Sequence, residues 1–168
     1  MKIEAIVYTS MTGFTAQYAN MLSNKTGLPA YTLAQAKEKL TAQQPVLYMS
    51  WLMAGMLVDY KKVAAQLNIA AVCSVGLNAT PEQAEATRKA SKMPNSMPIF
   101  ALQGGYAPEK LTGMYKFMMK LVTKVLIKKI SALPNKGPAE EKLLEVLRHG
   151  GSFVKEENLA PLLAHLQK

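Results

Sequence analysis

The alternation of short apolar runs with helix-like segments constrains this chain more than any other feature. Residues 3–8, 30–33, 46–50, 69–75 and 99–103 read as strands. Residues 15–23, 34–41, 57–67, 81–91 and 110–130 read as helices between and after them. Thr80-Pro81-Glu82-Gln83 carries helix-start signals: a capping hydroxyl, a proline suited to the first helical position, and a Gln that completes a capping box. Strict alternation of this kind implies an α/β fold, with a parallel sheet covered on both faces. Its crossovers are expected to be right-handed. Residues 1–130 are expected to form that domain. Residues 131–168, beyond Pro134-Asn135-Lys136-Gly137-Pro138, are expected to form a C-terminal helical extension packed on it, with helices over 139–148 and from about 156.

Composition removes several alternatives. At 168 residues and 49% hydrophobic, the chain suits one folded domain rather than a disordered one. A core of this size needs no disulfide or metal. The single cysteine, Cys73, has no internal partner, and with His149 and His165 it gives no zinc-ligand spacing. Asp59 is the only aspartate, so paired-aspartate sites are excluded. No metal site and no catalytic acid–base residue is expected. The apolar start carries Glu4 and lacks a signal-peptide pattern, and no long stretch is free of charge. The expected location is cytoplasmic.

In an open α/β sheet, ligands bind beyond the carboxyl ends of the strands, at a topological switch point. The loop after the first strand, Thr9-Ser10-Met11-Thr12-Gly13-Phe14-Thr15, holds four hydroxyls around one glycine and leads into a helix. Helix N-termini offer free N–H groups and a positive dipole end. The expectation is a phosphate cradle without a lysine. Neither G-x-G-x-x-G nor the nucleotide P-loop pattern is present there. Thr9 and Ser50 stand where a receiver domain needs carboxylates, and no C-x-x-C supports a thioredoxin-like site.

Ser10-Met11-Thr12-Gly13-Phe14-Thr15 resembles the [ST]-x-T-G-x-T phosphate loop of the flavodoxin family. The resemblance implies a flavodoxin-like three-layer α/β/α sandwich with a five-stranded parallel sheet of order 2-1-3-4-5. It implies FMN as cofactor and electron transfer through the flavin. A second flavin loop would be Trp51-Leu52-Met53-Ala54-Gly55, with Trp51 against the ring and Gly55 offering a backbone amide. A third would be Gly76-Leu77-Asn78, facing the pyrimidine edge, and Gly104-Gly105-Tyr106 could also approach. Phe14 departs from the Asn that many flavodoxins carry. The stretch from Gly113 to Leu121 also looks like the Tyr-x-x-Phe-Met-x-Lys segment of flavodoxin-type protoporphyrinogen oxidases, which work with quinones. Implied partners are a redox protein, or a quinone and porphyrinogen. A flavin-free binding module with the same fold is the alternative from another class.

Lys plus Arg is 20 against 11 Asp plus Glu, a formal charge of +9. Flavodoxins are strongly acidic, so this balance departs from a soluble shuttle and predicts acidic partners. Lys116, Lys120, Lys124 and Lys128 repeat every four residues along the expected helix over 110–130. That helix is longer than a typical strand, so part of it should overhang the sheet. The overhang is open to cover by the C-terminal helices, to an anionic membrane surface or to a partner. Two arginines, no aromatic interleaving and no motif argue against nucleic acid.

Overall fold

Strand β1 (Ala5–Thr9) is apolar on both sides, and both sides are buried in the computed structural model, which describes residues 2–167. The chain continues through α1 (Phe14–Thr26), β2 (Ala30–Thr32), α2 (Leu33–Lys39), β3 (Pro45–Met53), β4 (Met56–Leu57) and α3 (Tyr60–Ala64). Next come β5 (Asn68–Gly76), α4 (Pro81–Ala90), β6 (Ile99–Gln103), β7 (Gly105–Tyr106) and a 3-10 turn (Pro108–Lys110). The remainder is α5 (Gly113–Ser131), α6 (Pro138–His149), β8 (Gly151–Ser152), a 3-10 turn (Glu156–Leu159) and α7 (Ala160–Leu166). The fold is α/β with a mostly parallel central sheet.

Two compact units divide the chain. The first comprises 1–104 and 154–168, and the second is 105–153. In the first unit, parallel strands lie in the order β2-β1-β3-β5-β6. The sheet has six strands rather than the expected five, because β4 adds antiparallel to β3. Alternation then sends side chains to two cores. Ile6, Leu47, Met49 and Cys73 pack with Tyr18 and Leu22 of α1. Ala5, Val7, Val46 and Tyr48 pack with Ala36 of α2 and Val63 of α3. One irregularity shifts the register between Val46 and Leu47, so that Ile69 and Ala71 are their successive partners on β5.

Helix ends follow their local chemistry. Thr32 and Gln35 form a complete capping box at α2. At α4 the Thr80 hydroxyl accepts from Gln83 N–H at 3.2 Å, but Gln83 turns its side-chain amide to Thr87 instead of closing the expected box. Gly27 ends α1 at φ 72, with its N–H on Ser23 O at 2.8 Å.

Two expectations need correction. The helix expected over 57–67 is shortened to α3, because Leu57 pairs with Leu52 in a hairpin and Asp59 adopts a left-handed φ of 58. The compact units are bounded at Gly104 and at Phe153. The helix expected over 110–130 belongs to the second unit, with α6. The layer beside α1 is completed instead by Leu159 and by Leu162 of α7, both fully buried. A 7-residue helix with one buried residue is a weak sequence signal, yet Leu159 and Leu162 each contribute about 1.5–3 kcal/mol by leaving water. Among the described residues, no helix is long and apolar enough to cross a membrane.

Candidate functional site

Strand β1 has β2 on one side and β3 on the other, and α1 and α2 pack on opposite faces of the sheet. The chain therefore reverses direction at the β1/β3 boundary. A crevice at the carboxyl ends of these strands is where such sheets bind ligands. Thr9 and Ser50 are register partners at that boundary, and Ser50 and Ser74 continue the row onto β5.

The loop from Ser10 to Thr15 stands above Thr9. Ser10 Oγ accepts from Gly13 N–H at 3.2 Å and from Ala16 N–H at 3.3 Å. Gly13 makes the turn at φ 96, a left-handed conformation that costs glycine little. Helix geometry provides no internal partner for the N–H groups of Phe14 and Thr15 in the first turn. That turn carries no acidic residue, so its dipole end stays positive. Thr15 is buried, while Met11 is exposed.

Tyr48 was not singled out by sequence. Its hydroxyl donates to Val58 O at 2.7 Å and accepts from Thr9 Oγ1 at 3.0 Å. Burial raises its pKa above the ordinary 10.0, so the phenol keeps its proton. The signal available was its place on a buried strand two residues before Ser50. Ser50 Oγ is fully buried and has no hydrogen-bond partner among the described residues.

The segment from Trp51 to Met56, expected as a loop, continues the sheet. Trp51, Leu52 and Met53 lie in β3, and Met53 pairs with Met56. Ala54 at φ 49 and Gly55 at φ 80 form the two-residue turn, both left-handed as a type I′ hairpin requires. Trp51 is half-buried and Met56 is exposed. Met11 and Met56 are the exposed large apolar side chains among the described residues of this unit.

Gly76 brings β5 against this hairpin: a Cβ there would stand 3.1 Å from Leu52 Cδ1. Gly104 N–H donates to Gly76 O at 2.7 Å, and a Cβ on Gly104 would meet Val75 Cγ1 at 2.8 Å and Phe14 Cβ at 3.4 Å. Gln103 Nε2 steadies the next loop by donating to Leu77 O at 2.9 Å, and Asn78 is exposed. Gly104 thus ties the three segments together, whereas Gly105 and Tyr106 fall in the second unit.

Two cavities lie away from this end. One, of about 450 Å³, is lined by Ala42, Tyr60, Asn68 and Pro94. The other, of about 520 Å³, is lined by Ile3, Lys25, Leu28 and His165. Asn68 opens β5 and Ile3 precedes β1, so both cavities sit by the amino ends of the strands. His165 packs on Phe100 with ring centroids 5.2 Å apart, and burial pushes the Cys73 thiol far up. Neither group faces the loops at the carboxyl ends.

No family model matches the chain, and no curated protein matches it either. A solved structure described as the crystal structure of a hypothetical protein aligns over 89% of this chain and 81% of its own, with 16% identity and a TM-score of 0.37. So slight a likeness carries no argument about fold family or function.

Proposed function

We propose that the chain is a flavodoxin-like redox protein that binds FMN at the carboxyl end of β1. The observation that carries this reading is the coincidence of the Ser10–Thr15 loop with the switch point between β1 and β3. The group fits what stands there. Hydroxyls, first-turn N–H groups and a left-handed glycine suit a phosphate, with no carboxylate in the turn to oppose it. Met11, Trp51 and Met56 offer apolar surface for a planar ring. Gly55 and the Gly76-Leu77-Asn78 segment offer backbone groups for its polar edge. Bound FMN would supply electron transfer in one- or two-electron steps.

The residues bind and orient. Ser10 satisfies the Gly13 and Ala16 N–H groups and leaves those of Phe14 and Thr15 to the ligand, Thr12 and Thr15 add hydroxyls, and the hairpin limits water on one side of the site. Electrons would pass to a redox protein, or between a porphyrinogen and a quinone. Titration with FMN and with riboflavin tests the phosphate assignment: FMN should bind at least about tenfold tighter, a difference of about 1.4 kcal/mol. Thr12→Ala with Thr15→Ala should remove that preference. A purified protein that binds neither compound would be a flavin-free module of the same fold. Restored haem synthesis in a strain lacking its porphyrinogen oxidase would separate the enzyme from the carrier.

A further inference from the structure

Helix α5 is nineteen residues long, and Thr123 is its one buried residue. Met114 is 80% exposed, Phe117 67%, Leu121 52% and Val125 57%. Their spacing of three, four and four places them on one face. By the 100° step they span about 80° of arc. Lys116, Lys120 and Lys124 border this stripe along one side, Lys128 closes its C-terminal end, and Lys129 stands on the other border. All five lysines are exposed, and α5 contains no acidic residue. The acidic side chains of the second unit, Glu109, Glu140, Glu141 and Glu145, lie outside it.

A soluble surface helix turns its apolar stripe inward. Here a stripe of four large apolar side chains faces water. We infer that α5 docks the protein flat on an anionic lipid surface, with Met114, Phe117, Leu121 and Val125 entering the headgroup boundary and the lysines held at phosphate level. The chemistry matches on both counts. A bilayer interface accepts an apolar face to a depth of about 5–10 Å. Lysines bordering such a face extend their stems along it and keep their ammonium groups in the polar layer. The helix, about 28 Å long, lies in the plane rather than across it. A second copy is a poorer occupant: stripe-to-stripe pairing would bring two lysine borders together with no carboxylate between them.

The test uses the whole chain in vesicle co-sedimentation. Phosphatidylglycerol-containing vesicles should pellet the protein at low salt, and pure phosphatidylcholine vesicles should bind it at least about tenfold more weakly. Raised salt should weaken the anionic binding. Met114→Ser with Phe117→Ser alters only exposed positions and should lower anionic binding at least about tenfold with an unchanged circular dichroism spectrum. Lys120→Glu with Lys124→Glu should do the same. Failure to bind anionic vesicles at low salt overturns the inference. So does binding that ignores the Met114 and Phe117 substitutions, which would mean adsorption by charge alone. A dimer in sedimentation equilibrium that the same substitutions dissociate would assign the stripe to a second copy and overturn it too.

Discussion

Asn158 donates through Nδ2 to the Tyr18 hydroxyl at 2.6 Å, joining positions 140 apart in sequence. The same hydroxyl donates to Gln103 O at 2.6 Å. One phenol thus holds α1, the end of β6 and the returning C-terminal segment. Tyr18→Phe removes both of these hydrogen bonds from a fully buried side chain and should cost about 1–3 kcal/mol in urea unfolding. Burial also raises the Tyr18 pKa above its ordinary 10.0. The unfolded chain releases this proton more readily than the folded one. The contribution is therefore complete below pH 10.0 and is lost as pH rises through the higher folded value. Stability measured against pH should fall less steeply above pH 10.0 in Tyr18→Phe than in the parent.

Leu162→Ala should cost about 2–5 kcal/mol, the range for a fully buried leucine. If α7 did not pack against the core beside α1, the cost would be near zero. Thermal unfolding of the single variant distinguishes the two.

Ala54 holds a left-handed φ of 49 in the β3–β4 turn, a conformation that Asn and Gly accept more readily. Ala54→Asn creates the Asn-Gly pair that type I′ turns favour and should raise stability by roughly 0.5–1 kcal/mol. Gly55→Ala should lower it by about 1–2 kcal/mol through the backbone alone, since its Cβ would meet nothing within 4 Å. Unchanged melting temperatures in both variants would mean that the hairpin does not form.

Gly104→Ala should destabilise by about 1–3 kcal/mol, because its new methyl would crowd Val75 Cγ1 at 2.8 Å. Val75→Ala in the same chain removes the crowded atom and should recover part of the loss. The double-mutant coupling energy reads this directly. Additive costs would show that the two positions do not touch.

The sheet was legible because its strands are buried on both faces, and residues such as Ile6, Leu47 and Val72 are apolar whichever core they enter. The loop from Ser10 to Thr15 was legible as a strand–helix junction, because hydroxyl side chains and a glycine follow an apolar run and precede a helix. The β3–β4 hairpin was not, since Ala54-Gly55 lacks the side chain that announces a type I′ turn. Helix α5 was recognised as amphipathic, but periodicity gives the width of a stripe and not the surface it meets. Its assignment to the sheet layer failed because Leu159 and Leu162 supply that layer from a segment too short to show a period. Tyr48 stayed hidden because its apolar ring satisfies the strand pattern and only the fold brings its hydroxyl to Thr9.

Leu159 and Leu162 close a core whose first contributors are Ile3 and Ile6. The segment 105–153 is translated between them. During synthesis the α/β unit therefore waits for its own closing piece while an intervening unit is made. Until the closing piece emerges, Tyr18 and Leu22 have one flank bare, and exposed apolar surface of that kind makes a nascent chain prone to aggregate. Chains truncated after Phe153 should be cut by protease near α1, and the released full chain should resist.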